Sequence, residues 1–166
     1  FGDPFRAAGG LRDGNAYVPL LLREKVHLRG DHNVSNVLAA FTLGLAAGLT
    51  LNSMLEAVES FHGVPHRLEL VRERDGVRWY NDSIATAPER SMAAVRSFNE
   101  PIVLLLGGRD KDLPWESLAA LVRDRAARVV LFGEAAGKIE NALAAAGVDT
   151  AAVTRCEGLE EAVRKA

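Results

Sequence analysis

The sequence is poor in cysteine and has no long apolar run, and these two features exclude several classes of protein. Cys156 is its only cysteine, so an intrachain disulfide and a thiolate metal cluster are both excluded. The longest apolar runs, such as residues 102–106, are far too short to cross a bilayer. No signal peptide is visible. We therefore expect a cytoplasmic protein with no membrane partner.

The chain also lacks a surplus of charge of either sign. Its 20 Lys and Arg against 22 Asp and Glu give a net charge of −2. Residues 1–64 carry 5 basic and 6 acidic side chains, and residues 65–166 carry 15 and 16, so neither half is basic. Binding to a phosphate backbone requires a basic surplus, so nucleic acid is not an expected partner.

A third absence is the phosphate-binding loop that many ATP-using enzymes carry. The pattern G-x-x-x-x-G-K-[ST] occurs nowhere in the chain. His27 and His62 fit no ligand spacing with other donors, so no metal site is expected. The sequence starts at Phe1 rather than at a methionine and stops mid-pattern at residues 164–166. We expect it to be a fragment of a longer protein.

Apolar spacing predicts two consecutive helices in the first part of the chain, at about residues 32–47 and 51–61. Asp31 and Thr50 are the expected N-caps. Residues 1–30 are predicted to be loop-rich, with one strand at 16–22. The first helix is predicted to bury an apolar stripe made of Val34, Val37, Leu38, Phe41 and Leu45.

The helical pattern ends at Gly63-Val64-Pro65, because proline and the residue before it resist helix. We place a domain boundary there, between residues 1–64 and 65–166. The second domain opens with a β-hairpin at 68–81 around the turn Asp75-Gly76. Strands and helices then alternate, which predicts an α/β fold with a mostly parallel, doubly wound sheet. The predicted helices are 88–98, 114–126, 134–146 and one near Gly158, and the strands are 102–106, 129–132 and about 151–153.

Two loops at strand ends carry candidate binding groups, since doubly wound sheets bind ligands beyond the carboxyl ends of their strands. In the loop after Tyr80, Asp82 can accept hydrogen bonds from a sugar, and the helix N-terminus near Thr86 suits an anion. The alternative is a turn closed by Asp82 and a capping box of Thr86 and Glu89. In the second loop, Lys111 follows two glycines, and the alternative is an ordinary solvated loop.

Two further groups lie in the first part of the chain and at the boundary. Asn33 and Asn36 are three residues apart, so we expect their amides close together and away from the apolar stripe, where they suit an adenine edge. The alternative is capping of the helix end. His66 and Arg67 adjoin the boundary, where Arg67 can pair with a phosphate or form an interdomain salt bridge.

In their order and spacing these motifs resemble the Mur ligase family. The resemblance runs from about residue 30 to residue 133. It is strongest to the branch that adds D-glutamate to UDP-N-acetylmuramoyl-L-alanine in peptidoglycan synthesis. The motifs are His32-Asn33-x-x-Asn36, Gly63-Val64-Pro65-His66-Arg67-Leu68-Glu69, Asn81-Asp82-Ser83-x-Ala85-Thr86 and Leu104-Leu105-Leu106-Gly107-Gly108.

The resemblance implies a role for each part of the chain. Residues 1–64 would be the end of a central ATPase domain, and residues 65–166 an incomplete C-terminal Rossmann-like domain. The enzyme would be a monomeric ligase that uses ATP and Mg²⁺ and forms an acyl phosphate. Its phosphate loop and magnesium ligands would lie upstream, so the fragment alone is expected to be inactive. The implied ATP-binding residues are Asn33, Asn36, His66, Arg67 and Asp82, and the implied D-glutamate-binding residues are Thr86 and Lys111.

The sequence departs from the family pattern beside the implied amino-acid pocket. Ile84 stands where many D-glutamate ligases carry lysine, and Ala87 stands where many carry asparagine. A sister ligase or a folylpolyglutamate-type ligase with another amino acid therefore stays open as an alternative. A second alternative is a Mur-like partner subunit of an amidotransferase.

Overall fold

The structure, a computed structural model, describes residues 7–13 and 16–166. Its contacts group the chain into two units, Phe1–Ser83 and Ile84–Ala166. Unit 1 carries two antiparallel strand pairs and two helices, and unit 2 carries a parallel sheet with helices between its strands. The predicted α/β class is confirmed.

Unit 1 begins with an antiparallel pair of strands, β1 (Ala7–Asp13) and β2 (Ala16–Leu22). The predicted strand at 16–22 is confirmed. The loop prediction is wrong for Gly9-Gly10, because both glycines lie within β1, where the register shifts. Glycine inside a strand commonly marks such an irregularity, which explains why it resembled a loop.

Two helices follow, α1 (Asp31–Ala46) and α2 (Leu51–Ser60), close to their predicted bounds. Thr50 caps α2 as predicted, since its side chain accepts a hydrogen bond from the Ser53 N–H at 3.3 Å. Asp31 does not cap α1. It is the first helical residue, and Gly30 precedes it with a φ of 83° and no side-chain cap.

The core of unit 1 corrects the predicted stripe of α1. The residues of α1 that are buried are Asn33, Val37, Phe41 and Gly44, whereas Leu45 is exposed. Gly44 lies against α2: a Cβ at Gly44 would fall 2.5 Å from the Met54 sulfur. The buried face of α1 therefore includes Gly44 instead of Leu45. The buried cluster consists of Leu21, Val26, Val37, Phe41 and Met54.

A β-hairpin closes unit 1, with β3 (Glu69–Arg74) antiparallel to β4 (Val77–Asn81). Asp75 and Gly76 have φ values of 53° and 78°. Two consecutive positive φ angles are typical of the type I′ turn, whose twist suits a two-residue hairpin. The predicted hairpin and its turn are confirmed.

In unit 2 three strands form a parallel sheet in the order β5-β6-β7, namely Ile102–Gly107, Ala126–Phe132 and Val153–Cys156. The prediction that the first two are adjacent and parallel is confirmed. The third strand starts later than predicted, because residues 150–152 form a 3₁₀ turn capped by Asp149. The helices are α3 (Pro88–Arg96), α4 (Glu116–Arg125), α5 (Ala136–Ala145) and α6 (Leu159–Lys165).

The core of unit 2 is centred on β6 rather than on β5. Val129, Val130 and Leu131 of β6 are at most 1% exposed, whereas Val103 of β5 is 43% exposed. The sequence favours β5 as the most buried strand because it is apolar on both faces. Among the described residues, however, β5 is at one end of the sheet and β6 lies between two strands.

The ends of β5 and β6 are held together through glycines. A Cβ at Gly107 would lie 2.0 Å from the Phe132 carbonyl oxygen. The Gly108 N–H donates to that oxygen at 3.2 Å, and the Gly108 carbonyl accepts from the Ala135 N–H at 3.0 Å. Gly133 has a φ of 74°. This backbone conformation is sterically unfavourable for a residue that has a side chain. Gly107 and Gly108 thus allow the backbone at the end of β5 to lie directly against the end of β6.

We predict that Gly107→Ala destabilises unit 2, because the added methyl group overlaps backbone atoms of β6. Overpacking of this kind costs about 1–3 kcal/mol of unfolding free energy. The measurement is urea denaturation followed by the fluorescence of Trp115, which packs against this core. Gly158→Ala is the control, since a Cβ there meets nothing within 4 Å. Equal midpoints for both variants would contradict the steric account.

Candidate functional site

A cleft of about 410 Å³ in unit 1 is lined by two of the five predicted nucleotide-binding residues, Asn33 and Arg67. We call it the arginine cleft because four arginines line it. The lining residues are Arg23, Val26, His27, Leu28, Arg29, Asn33, His62, Arg67, Leu68, Leu70, Arg78 and Tyr80. Four apolar side chains, Val26, Leu28, Leu68 and Leu70, stand beside the arginines in its walls.

The arginines of this cleft differ in what their guanidinium groups already bind. Arg23 donates to the carbonyls of Val26 and Leu28 at 2.8 and 3.0 Å, which stabilises the turn before α1. Arg29 donates from Nε to the Tyr80 hydroxyl at 3.0 Å. The exposed Arg67 side chain makes no hydrogen bond or ion pair with any other residue that the structure describes. Arg67 is therefore a cation that is open to an anionic ligand.

The segment that carries Arg67 has an uncommon backbone conformation. His66 and Leu68 have φ values of 65° and 44°, in the left-handed region that non-glycine residues rarely adopt. Such positions persist only where surrounding contacts hold them, and they concentrate at ligand-binding segments. Here the His66 N–H donates to the Glu69 carboxylate at 2.8 Å, and the His66 Nδ1 lies 2.9 Å from the Asn81 amide nitrogen.

Asp82 binds the backbone of Leu68, the residue that follows Arg67. Its Oδ1 accepts a hydrogen bond from the Leu68 N–H at 3.0 Å, fourteen residues away, so it does not simply close a local turn. Its Oδ2 bonds to no other residue in the described part of the chain. Partial burial raises the pKa of this carboxyl, against the opposing effects of the Leu68 N–H, Arg67 and His32. One carboxylate oxygen therefore stays available for a ligand hydroxyl next to the Arg67 charge.

The two asparagines of α1 are close together, as predicted, with the Asn36 amide nitrogen 3.3 Å from the Asn33 Oδ1. The expectation that both project away from the buried face is wrong for Asn33. Asn33 is 6% exposed and donates to the Arg29 carbonyl at 2.7 Å, which ties the helix start to the preceding turn. Asn36 is exposed and is not among the residues that line the cleft.

The two residues predicted to bind the amino acid lie in unit 2. Thr86 is exposed and precedes Ala87, the N-cap of α3, which has no side-chain cap, so the alternative capping box with Glu89 does not form. Lys111 is exposed in the loop after β5 and pairs with no other described residue. Its ammonium group is thus available to a carboxylate, and its role stays a prediction.

Lys138 of α5 holds the Lys111 loop, a contact that the sequence does not reveal. Its ammonium group binds Asp112 at 2.5 Å and lies 3.7 Å from Asp110. The hydrogen bond from Lys138 lowers the pKa of Asp112, and the same bond raises the pKa of Lys138. The Asp112 N–H also donates to Asp110 at 2.9 Å. Lys111 therefore extends from a loop that is fixed on both sides of it.

A second concavity lies at the carboxyl ends of β6 and β7, bounded by Gly133, Arg155, Cys156, Glu157 and Glu161. Burial raises the pKa of the Cys156 thiol, which disfavours the reactive thiolate. Within the described residues, no group of three or more His, Cys, Asp or Glu side chains could hold a metal ion. None of the helices described is long and apolar enough to span a membrane.

Comparisons with known proteins show what the chain is similar to. A family model described as "Mur ligase, glutamate ligase domain" matches residues 66–166. A UDP-N-acetylmuramoylalanine–D-glutamate ligase of Symbiobacterium thermophilum is 41% identical over 152 residues, which cover 92% of this chain and 33% of that protein. Its counterpart from a Roseiflexus species is 49% identical over 122 residues, covering 73% and 26%. The chain thus spans about a third or less of these relatives' length.

Solved structures show the same fold. The folylpolyglutamate synthase of Thermotoga maritima superposes with a TM-score of 0.65 at 21% identity, over 93% of this chain and 37% of that chain. The Mycobacterium tuberculosis folylpolyglutamate synthase, solved in complex with ADP and AMPPCP, has a TM-score of 0.66 at 20% identity over 97% and 36%. The family model covers more than half of the sequence. This chain belongs to the Mur ligase family.

Proposed function

We propose that the chain is part of an ATP-dependent ligase of peptidoglycan synthesis that joins D-glutamate to UDP-N-acetylmuramoyl-L-alanine. In this proposal, unit 1 holds the adenosine and phosphates of ATP in the arginine cleft, and unit 2 holds the amino acid. The observation that carries the proposal is the pairing of Arg67, an open cation, with Asp82, an open carboxylate oxygen, on one clamped segment. The names of the sequence relatives support the amino acid and the acceptor.

The two groups suit opposite chemical features of a nucleotide. A guanidinium pairs with phosphate oxygens through parallel N–H groups, and a carboxylate accepts hydrogen bonds from the two hydroxyls of a ribose. His66 stabilises the segment from its other side through Asn81. Asn36 presents an exposed amide near Asn33 at the start of α1, which suits the adenine edge. The cleft volume of about 410 Å³ lies within the usual range for small-molecule sites.

In the proposed reaction the acceptor carboxylate attacks the terminal phosphorus of ATP, which forms an acyl phosphate and releases ADP. The amine of D-glutamate then attacks the acyl phosphate and displaces phosphate. Such reactions depend on positioning and charge stabilisation, which Arg67 would contribute at the phosphates. Magnesium would supply further charge neutralisation, but among the described residues no group of three or more His, Cys, Asp or Glu side chains could hold it. The proposed enzyme acts in the cytoplasm as a monomer.

On the amino-acid side, Lys111 and Thr86 are the proposed partners of the D-glutamate side-chain carboxylate. An ammonium and a hydroxyl both donate to a carboxylate, and the loop fixed by Lys138 limits the entropy lost when Lys111 binds. Ile84 is 42% exposed and adds apolar surface in the same loop as Thr86. This apolar position is the feature that favours the alternative of a different amino acid.

We predict that Asp82→Asn weakens ATP use in the longer ligase that carries this sequence. The substitution keeps the shape and an acceptor for the Leu68 N–H but removes the charge. Losing a hydrogen bond to a charged group costs about 1.5–3 kcal/mol, so the KM for ATP should rise about tenfold or more. Asp124→Asn, in an exposed ion pair of unit 2, is the control. An unchanged KM for ATP would contradict the proposal that Asp82 binds the nucleotide.

We predict that Lys111→Ala raises the KM for D-glutamate by at least about tenfold, because the carboxylate loses a charged donor. The KM for ATP should stay nearly unchanged. Lys25→Ala is the matched control, since Lys25 is an exposed lysine of unit 1 that pairs with Glu59. Steady-state kinetics with each substrate varied in turn separate the cases. An equal shift for ATP would assign Lys111 to the nucleotide, and no shift for either would make the loop a solvated one.

A further inference from the structure

We propose that Arg29 and Tyr80 form a positioning pair that holds the two walls of the arginine cleft in register for the nucleotide. The inference rests on the proposed function, and it assigns a role to two residues that no motif indicates.

Arg29 makes a hydrogen bond at each of its ends. Its backbone carbonyl accepts from the buried Asn33 amide at 2.7 Å. Its side-chain Nε donates to the Tyr80 hydroxyl at 3.0 Å, and its guanidinium carbon lies 5.3 Å from the centre of the Tyr80 ring. Both Arg29 and Tyr80 are partly buried, so their contact is less exposed to competing water than a surface pair.

These contacts join elements that are far apart in sequence. Asn33 lies in the first turn of α1, beside the Asn36 amide. Tyr80 lies on β4, two residues before Asp82. Arg29 and Tyr80 are 51 residues apart, and the intervening chain includes both helices and the Arg67 segment. The pair therefore links the wall that carries Asn33 to β4, the strand that Asp82 directly follows.

The link between Arg29 and Tyr80 would affect the positions of Asp82 and Arg67, the two groups proposed to bind the nucleotide. Asp82 fixes Leu68 through its own hydrogen bond, so any displacement of β4 would move Arg67 as well. A hairpin of two strands has little stability of its own and needs contacts outside itself to keep a fixed place. Arg29 supplies one such contact from the α1 side. Holding binding groups in place before the ligand arrives lowers the entropy that binding costs.

The same geometry allows a competing assignment, in which Arg29 binds a phosphate directly. The two assignments differ in what Tyr80 does. A positioning pair needs the Tyr80 hydroxyl, whereas a phosphate ligand does not. The test therefore uses Tyr80→Phe, which removes only the hydroxyl, together with Arg29→Lys, which keeps the charge but not the guanidinium geometry, and the double variant.

In the longer ligase, each single variant should raise the KM for ATP about threefold to tenfold, the effect of one lost hydrogen bond. The double variant should be no worse than the poorer single variant, because both remove the same contact. The kcat and the KM for D-glutamate should change less than about twofold on the same scale. Arg74→Lys, in an exposed ion pair at the tip of the same hairpin, is the matched control.

Three outcomes would overturn the inference. An increased KM for ATP with Arg29→Lys and none with Tyr80→Phe would make Arg29 a direct phosphate ligand. Additive effects in the double variant would show that the two residues act separately. A lower thermal midpoint with an unchanged KM for ATP would make the pair merely structural.

Asp82→Asn in the same assay separates this inference from the proposed function. If Asp82→Asn raises the KM for ATP while the pair variants do not, the nucleotide site stands and only the positioning role fails. If Asp82→Asn also leaves the KM for ATP unchanged, the cleft does not bind the nucleotide and the proposed function fails with it.

Discussion

The hydrogen bond from the Leu68 N–H to the Asp82 carboxylate, 3.0 Å long, is the contact on which the geometry of the arginine cleft depends. It fastens the segment around Arg67 to the end of β4, and it holds Leu68 at a φ of 44°, which a leucine would otherwise avoid. The bond uses one carboxylate oxygen and leaves the other open. Because one oxygen of Asp82 is held by this bond, the fold also fixes the position of the oxygen that is open to a ligand.

In unit 2 the candidate residue Lys111 is positioned by the loop that carries it. There the backbone approach of β5 to β6 at Gly107 leaves no room for a side chain, and it sets where the following loop begins. Lys138 then holds the loop through Asp112. Because both sides of Lys111 are fixed, the flexibility of this site is confined to the lysine side chain, whose rotamers carry most of the entropy that binding must overcome.

Local signals in the sequence were sufficient for most of the elements. Helical spacing located α1 and α2, Thr50 marked the start of α2, and the Asp75-Gly76 turn located the hairpin. These succeed because each depends on interactions between residues close in sequence. The three-residue spacing of Asn33 and Asn36 likewise predicted their contact.

Long-range packing accounts for what the sequence did not indicate. The apolar pattern of β5 matches that of a central strand, yet β6 is the strand that two neighbours bury. Asn33 is polar, yet it lies on the same buried face of α1 as Val37, Phe41 and Gly44. The contacts of Lys138 with Asp112 and of Arg29 with Tyr80 span 26 and 51 residues, and no local pattern encodes them.

The β3–β4 hairpin is assigned differently by the family match and by the contacts of the structure. The family match begins at residue 66 and includes the hairpin, whereas by its contacts the hairpin belongs with α1 and α2 in unit 1. The domain boundary at 64 and 65 thus stays a prediction from the sequence. Asp82 directly follows β4, and only the short loop 83–87 separates it from α3. A nucleotide bound at Asp82 would therefore contact a residue only six positions before α3, the first helix of the unit proposed to hold the amino acid.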